Sequence, residues 1–276
     1  MVTSDHVQYV SAALVIVACV QLVACAAVRA GRAARVFEAA SGSSVAAACL
    51  LTLLARGTYF PRQVTSTALV VAWGARLSRF LYARPLEREV INVFMRIVWS
   101  MLCALPVIIC NTQQRERYRT TAGECAGVFV ALAALCLEHV SDSQKQRWHA
   151  RHAQRPTRAD VEPPVCAVGL WRYSRHPNLF FELLFHWSIY VIVRPVEAPF
   201  VVLSPVALTV LVLFFPGGVL TQELSRNAQY GLYPAYALYR KETPLFFPCP
   251  GVFRCFSACA PRATNILCLE LTLFDD

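Results

Sequence analysis

The chain has 276 residues, of which 57% are hydrophobic and 16% are charged, and its formal net charge is +9. Water-soluble domains carry closer to a quarter charged residues, so this composition excludes an ordinary soluble fold. The apolar residues form long blocks separated by basic, proline-containing stretches, which is typical of a polytopic helical membrane protein. Nucleic-acid binding is a poor explanation of the basicity, because the charge follows the intervals between apolar blocks.

Seven apolar blocks predict an all-α bundle of about seven transmembrane helices. The second block contains the sequence SGSS at residues 41–44, and the sixth is short because Arg194-Pro195 follows it. The predicted spans, in chain order, are Tyr9–Val28, Phe37–Ala55, Thr65–Tyr82, Val90–Cys110, Gly123–Val140, Leu179–Val193 and Phe200–Leu220.

These spans suggest three parts of the chain. Residues 1–64 hold N-terminal transmembrane segments, residues 65–250 form the main membrane domain, and residues 251–276 form a cysteine-containing tail of unknown role. Residues 144–166 form a basic, proline-containing loop that we expect to be partly irregular. Counting Lys and Arg in the loops between spans places most of them on one side, which the positive-inside rule assigns to the cytosol.

The cysteines do not indicate a metal site. Seven of the twelve lie within the predicted apolar spans, where they behave as small hydrophobic residues, and those in the tail lack both CxxC spacing and a nearby histidine. We therefore expect no metal, and palmitoylation of the tail is the alternative use for its cysteines.

The most informative run is residues 169–178, with the sequence GLWRYSRHPN, which leads into the sixth span. Pro177 suits the first turn of a helix, and Asn178 and Glu182 are four residues apart on one helical face. Arg175 and His176 then lie at a helix N-terminus, which favours an anion such as the phosphate of a cofactor. An interfacial anchor is the alternative, although an anchor requires neither Asn178 nor Glu182.

Two further polar segments lie near the same membrane face. Glu138 and Asp142 share a helical face at the end of the fifth span and suit ribose or adenine donors. The alternative is an ordinary surface pair between Asp142 and Lys145.

Near residue 230 the tyrosines recur at every third position, and Pro234 interrupts the pattern. They predict either an interfacial aromatic belt or a lid, in which tyrosine hydroxyls, Arg226 and Arg240 close over a phosphate and a ring.

Together these blocks resemble the steroid 5α-reductase-like membrane family, including its uncharacterised branch called the DUF1295 group. The family shows GLWxYSRHPNYxxE, an earlier E-x-x-x-D-x-Q segment, and a final L-T-x-E…R…Y-x-x-Y…R-x-T-x-x-F-x-P; the resemblance covers residues 65–250. It implies an integral membrane reductase of the endoplasmic reticulum. Such an enzyme binds NADPH from the cytosol and reduces a conjugated C=C bond of a lipid or steroid-like substrate that enters from the bilayer.

The resemblance also implies site residues. Asn178 and Glu182 would hold the nicotinamide end, Asp142 would serve the ribose or adenosine, and Tyr173 and Glu182 are the candidate catalytic residues, with Tyr173 as proton donor. The residues expected to serve phosphates and closure are Arg175, His176, Arg226, Tyr236, Tyr239 and Arg240.

The chain departs from the family pattern at three positions. Leu179 replaces a tyrosine, Phe181 replaces a small residue, and Trp73 occupies the place where a carbonyl-polarising tyrosine is expected. Glu38 is a candidate for the accompanying glutamate. Whether this chain has the residues with which steroid reductases bind the substrate carbonyl therefore stays open.

Two other functions stay open. One is an S-adenosylmethionine-dependent membrane methyltransferase of the isoprenylcysteine or phospholipid type, which also shows a short RHP run. The other is a catalytically inactive membrane scaffold, which the three departures favour.

Overall fold

The computed structural model describes residues 4–29, 35–83, 93–114, 120–152, 164–193, 198–215 and 217–248. Within these ranges the chain is helical and contains no strand. The helices are α1 (Ser4–Arg29), α2 (Arg35–Arg56), α3 (Pro61–Ala83), α4 (Val93–Asn111), α5 (Ala122–His152), α6 (Pro177–Val193), α7 (Leu203–Phe214), α8 (Val219–Tyr230) and α9 (Pro234–Glu242). The predicted tail, residues 251–276, lies outside the described residues.

Five helical stretches in the described part of the chain are long and apolar enough to cross a membrane, which indicates an integral membrane protein. They are Ser4–Val28, Arg35–Arg56, Val93–Asn111, Ala122–His152 and Pro199–Tyr230.

Helices occur at all seven predicted positions, but the number of spans stays a prediction. Helix α3 carries Arg62, Arg76 and Arg79, so it is less apolar than the five candidates. Helix α6 has 17 residues, fewer than the roughly 20 that a straight span needs.

The C-terminal half departs from the prediction at two boundaries. Helix α5 continues to His152, through the beginning of the predicted irregular loop. The predicted seventh span is interrupted between Phe214 and Val219, where Gly217 has a φ of +84° that favours glycine. The two adjacent glycines at 217 and 218 are a turn signal inside an otherwise apolar run.

The chain divides into two compact units. The N-terminal unit comprises residues 1–135 and 183–211, and the C-terminal unit comprises residues 136–182 and 212–276. The division predicted at residues 64 and 250 stays a prediction.

The backbones of α2 and α3 approach closely in the N-terminal unit because two glycines face each other. A Cβ added at Gly74 would lie 2.6 Å from the carbonyl oxygen of Gly42 and 3.2 Å from the Cβ of Ala46. The glycine that interrupts the second apolar block therefore permits close packing of α2 against α3, as small residues commonly do between membrane helices.

Polar side chains link α2, α3 and α4 elsewhere in this unit. Asn111, which is fully buried, donates to the carbonyl oxygen of Cys49 at 3.1 Å and contacts the hydroxyl oxygens of Thr52 and Thr67 at 3.2 and 3.3 Å. Arg96 pairs with Glu38 at 2.5 Å. Such contacts satisfy groups that are costly to leave unpaired in an apolar interior.

The α2–α3 approach predicts a steric effect of Gly74→Val. The added side chain meets the α2 backbone, so we expect this variant to lose roughly 2 kcal/mol of stability through overpacking. Ala75→Val adds a β-branched side chain at the neighbouring, exposed position of α3 and serves as the control. Thermal unfolding in detergent measures both, and equal losses would contradict the close approach.

Candidate functional site

The signature run 169–178 forms the centre of the C-terminal unit. Its first residues contact the end of α5: the backbone N–H of Leu170 donates to Gln144 Oε1 at 2.9 Å, and Trp171 Nε1 donates to the carbonyl oxygen of Ser141, also at 2.9 Å. The ammonium group of Lys145 lies 5.3 Å from the Trp171 ring centroid, within the range of a cation–π contact. The run is therefore bound to the last turns of α5.

Gly169 is required by this contact. Its φ is +60°, a left-handed conformation that glycine adopts without strain, and an added Cβ would overlap the side chain of Gln144. The first residue of the signature thus has a structural explanation that is independent of any ligand.

The middle of the run contacts the segment that follows α9. The Ser174 hydroxyl donates to the carbonyl oxygen of Phe246 at 2.8 Å. The backbone N–H of Arg175 donates to the carbonyl oxygen of Pro244 at 2.9 Å, and Arg175 Nε donates to the carbonyl oxygen of Thr243 at 3.1 Å. The run therefore connects α5 with the region after α9.

Glu223, on α8, contacts three cationic or hydrogen-bonding side chains. Arg175 Nη1 pairs with Glu223 Oε2, and His176 Nε2 lies 2.8 Å from Glu223 Oε1. Arg226 approaches the same oxygen at 3.5 Å. The exposed fractions of Glu223, Arg175 and His176 are 7%, 3% and 1%, so the group is a buried ion-pair cluster.

The contacts with Glu223 leave Arg175 and His176 with less capacity to bind an external anion. The sequence predicted an external anion at this helix start, and the structure brings the carboxylate of Glu223 to these two side chains. A buried guanidinium requires such a counter-charge. The sequence contained one signal for this partner, since Glu223 is an acidic residue within an amphipathic helix and lies three residues before Arg226.

His176 is uncharged at neutral pH. Burial lowers the pKa of its imidazole to about 4, because the surroundings disfavour the protonated form more strongly than the hydrogen bond to Glu223 favours it. The neutral ring then donates its Nε2 hydrogen to the Glu223 carboxylate.

Two of the tyrosines for which a lid or an interfacial belt was predicted, Tyr236 and Tyr239, lie on α9 and make hydrogen bonds within the C-terminal unit. Pro234 begins α9, as proline commonly does in a first helical turn. The Tyr236 hydroxyl donates to Asn227 Oδ1 at 2.9 Å, and the Tyr239 hydroxyl donates to the carbonyl oxygen of Trp171 at 2.7 Å. Burial raises the pKa of Tyr236 to about 12 and also raises the pKa of Tyr239, so both phenols stay protonated at neutral pH.

The remaining predicted site residues differ in exposure. Asp142 is 3% exposed and has a partner, and Asn178 and Glu182 are half-buried on α6. Tyr173, the candidate proton donor, is 50% exposed, and its hydroxyl makes no hydrogen bond with the residues that the structure describes. Arg240 is half-buried and forms no ion pair with described residues.

An open groove of about 510 Å³ lies beside the last two turns of α5. Arg147 and Arg151 are four residues apart and exposed, and the rings of Trp148 and His152 stack at 4.3 Å. The groove is lined by Gln144, Arg147, Trp148, Arg151, His152, Val165, Ala167 and Val168. The sequence did not predict it, because these positions were assigned to an irregular loop rather than to one face of a continuing helix.

The chain matches the model of one known protein family. It belongs to the DUF1295 family, described as proteins of unknown function, whose model matches residues 86–243. The signature run, Glu223 and all of α9 fall within that match. No curated protein and no solved structure gave a match.

Glu223→Gln tests the buried cluster. Removing the carboxylate charge leaves Arg175 buried without its counter-charge, so we expect a loss of roughly 3–5 kcal/mol of stability. Glu242→Gln changes an exposed carboxylate on α9 and is expected to cost little. Unfolding in detergent compares the two. The double variant Arg175→Gln/Glu223→Gln should lose less than the sum of the single losses, and strict additivity would contradict the pairing.

The lowered pKa of His176 predicts a pH dependence of stability. Between about pH 6.5 and pH 4 the unfolded chain binds a proton at this residue that the folded chain does not. Stability therefore falls as the pH decreases through this window, by at most about 1.4 kcal/mol per pH unit from this group.

The control for this effect is a second histidine. Unfolding of wild type, His176→Gln and His139→Gln across the window should show a shallower slope for His176→Gln alone, since His139 is exposed. A slope that His176→Gln leaves unchanged would show that its imidazole titrates equally in both states.

Proposed function

We propose that the protein is an integral membrane reductase that uses NADPH to reduce a conjugated C=C bond in a lipid or steroid-like substrate. The observation that carries the proposal is the groove beside α5, in which two guanidinium groups and an aromatic ring occur together. Its volume of about 510 Å³ lies in the range of small-molecule sites. Its position next to the signature run agrees with the steroid 5α-reductase-like grouping that the motifs suggest.

The charge of the groove favours a phosphate-bearing cofactor. Arg147 and Arg151 lie one helical turn apart, so both guanidinium groups can reach one phosphate-rich ligand, and arginine–phosphate contacts are strong and geometrically specific. S-adenosylmethionine carries no phosphate. The arginine pair therefore favours NADPH over the cofactor of a methyltransferase.

The lining of the groove fits an adenosine phosphate. Trp148 supplies an aromatic surface for a base, and Gln144 supplies amide hydrogen-bonding groups at the edge. Asp142, two residues before Gln144, is the proposed ribose or adenosine residue. Arg240, half-buried on α9, is proposed as a further phosphate contact.

The buried cluster gives Arg175, His176 and Arg226 a revised role within this proposal. These residues fix the beginning of α6 through Glu223 and so determine the directions of Asn178 and Glu182, which are proposed to hold the nicotinamide end. Tyr236 and Tyr239 hold α9 against its neighbours by donating hydrogen bonds. NADPH supplies a hydride when bound, and Tyr173, whose hydroxyl is accessible, is the proposed proton donor.

Location follows from the same proposal. The excess of Lys and Arg in the loops predicted to share a side with the signature run favours a cytosolic orientation. We propose the endoplasmic reticulum membrane as the site of action, where an apolar substrate enters from the bilayer and NADPH arrives from the cytosol.

Thermal stability in the presence of cofactors tests the proposal. A ligand that binds only the folded protein at a hundredfold excess over its dissociation constant stabilises it by roughly 2.7 kcal/mol. We expect NADPH to raise the unfolding temperature of detergent-purified protein, NADH to raise it less, and S-adenosylmethionine to leave it unchanged.

The variant Arg147→Gln/Arg151→Gln should reduce the shift with NADPH, and Arg172→Gln, an exposed arginine of the signature run, is the control. Stabilisation by S-adenosylmethionine alone would favour the methyltransferase. A protein that responds to none of the three cofactors would favour the scaffold.

A further inference from the structure

Helices α8 and α9 form a hairpin, residues 219–242, whose turn at residues 231–233 exposes apolar side chains. The backbone N–H of Tyr233 donates to the carbonyl oxygen of Tyr230 at 3.0 Å, and the ring centroids of these two tyrosines lie 6.1 Å apart. Leu232 lies between them in sequence and is 100% exposed. The turn is therefore held by defined contacts, and it presents one large apolar side chain outward.

Each helix of the hairpin also presents an exposed apolar row. Residues three or four apart on a helix share a face, and the exposed apolar residues of α8 and α9 follow that spacing. They are Leu224, Ala228, Pro234, Ala237 and Leu238. Tyr236 and Tyr239, which donate hydrogen bonds within the unit, lie on other faces of α9. A partner can therefore contact the exposed row without disturbing those hydrogen bonds.

Both ends of the hairpin lie beside the start of α6. Glu223 contacts Arg175 and His176, which directly precede that helix, and the carbonyl oxygen of Pro244 accepts a hydrogen bond from the Arg175 backbone N–H. Helix α6 is apolar, so its start marks a polar-to-apolar boundary of the kind found at a membrane surface. Seven residues lead along α8 from Glu223 to Tyr230, so the turn is at most roughly 10 Å from this boundary.

The charge of the hairpin complements an anionic membrane surface. Residues 224–241 contain three basic residues, Arg226, Arg240 and Lys241, and no Asp or Glu. Arg226 contacts Glu223, and Arg240 is the proposed phosphate contact, so exposed Lys241 is the base that stays available to a headgroup. A basic residue beside an exposed apolar row is typical of helices that lie in the membrane interface.

We propose that the α8–α9 hairpin is a membrane-binding surface, in which Leu232 and Leu238 insert into the interfacial region and Lys241 binds the headgroup of an anionic phospholipid. Lipid is favoured over a protein partner because the hairpin directly follows α7 along the chain, whose last residue, Phe214, is 51% exposed within a candidate membrane span. The inference rests on the membrane character of the chain and is independent of the proposed reductase activity.

Site-specific photo-crosslinking of the full chain in proteoliposomes tests the insertion. The photoreactive residue p-benzoylphenylalanine replaces Leu232, Phe214 or Gln229 in turn, and mass spectrometry identifies the molecule that each probe captures after irradiation. We expect phospholipid adducts at positions 232 and 214. Position 229 is exposed but polar, so it should capture several-fold less lipid and serves as the matched control on the same hairpin.

Vesicles that mix phosphatidylcholine with phosphatidylserine test the headgroup. Relative to its share of the vesicle, phosphatidylserine should be captured at position 232 with an about fivefold preference, the effect of one basic residue near an anionic surface. Lys241→Gln should abolish this preference. Glu242→Gln changes the adjacent exposed charge of opposite sign and should retain it.

Unfolding in detergent supplies the check on folding. Replacement of a fully exposed Leu232 removes no packing, so the labelled protein should unfold at the wild-type temperature. The proposal is overturned if position 232 captures a second copy of the chain instead of lipid. It is also overturned if positions 232 and 229 capture equally little lipid while position 214 captures it. Capture of phosphatidylserine only in proportion to its abundance would overturn the role of Lys241. None of these measurements requires NADPH, so their outcome is separate from that of the reductase proposal.

Discussion

The C-terminal unit depends on the carboxylate of Glu223, because three cationic or hydrogen-bonding side chains contact this group. Arg175, His176 and Arg226 all contact this group, and its two closest partners are almost fully enclosed. A buried charge of this kind is stable only when its counter-charge is in place. The start of α6 and the middle of α8 are therefore fixed relative to each other by electrostatics rather than by apolar packing alone.

The signature run extends that constraint to the rest of the unit. Its first residues contact α5 through Trp171, and Ser174 and Arg175 contact the carbonyl oxygens after α9. The Tyr239 hydroxyl, on α9, donates a hydrogen bond to the carbonyl oxygen of Trp171. A motif that looks catalytic from its residue types thus has a structural role.

Each unit contains buried polar groups with defined partners. In the C-terminal unit the signature run pairs its indole, hydroxyl and guanidinium groups with defined partners. In the N-terminal unit Asn111 is likewise paired, whereas Trp73 Nε1 and His186 Nε2 have no hydrogen-bond partner among the residues that the structure describes.

The sequence by itself determined the all-helical membrane character, because apolar blocks of membrane length need no tertiary information. It also placed Arg175 and His176 at the start of a helix, since Pro177 is a local signal for a first helical turn. It could not show that Glu223 contacts Arg175 and His176, since 47 residues separate Glu223 from His176 along the chain. Nor could it predict that α5 continues to His152 and forms one wall of a groove, or that Gly42 faces Gly74. The Glu223 contacts, the groove and the glycine approach join segments that are separate in sequence, so only the tertiary structure decided them.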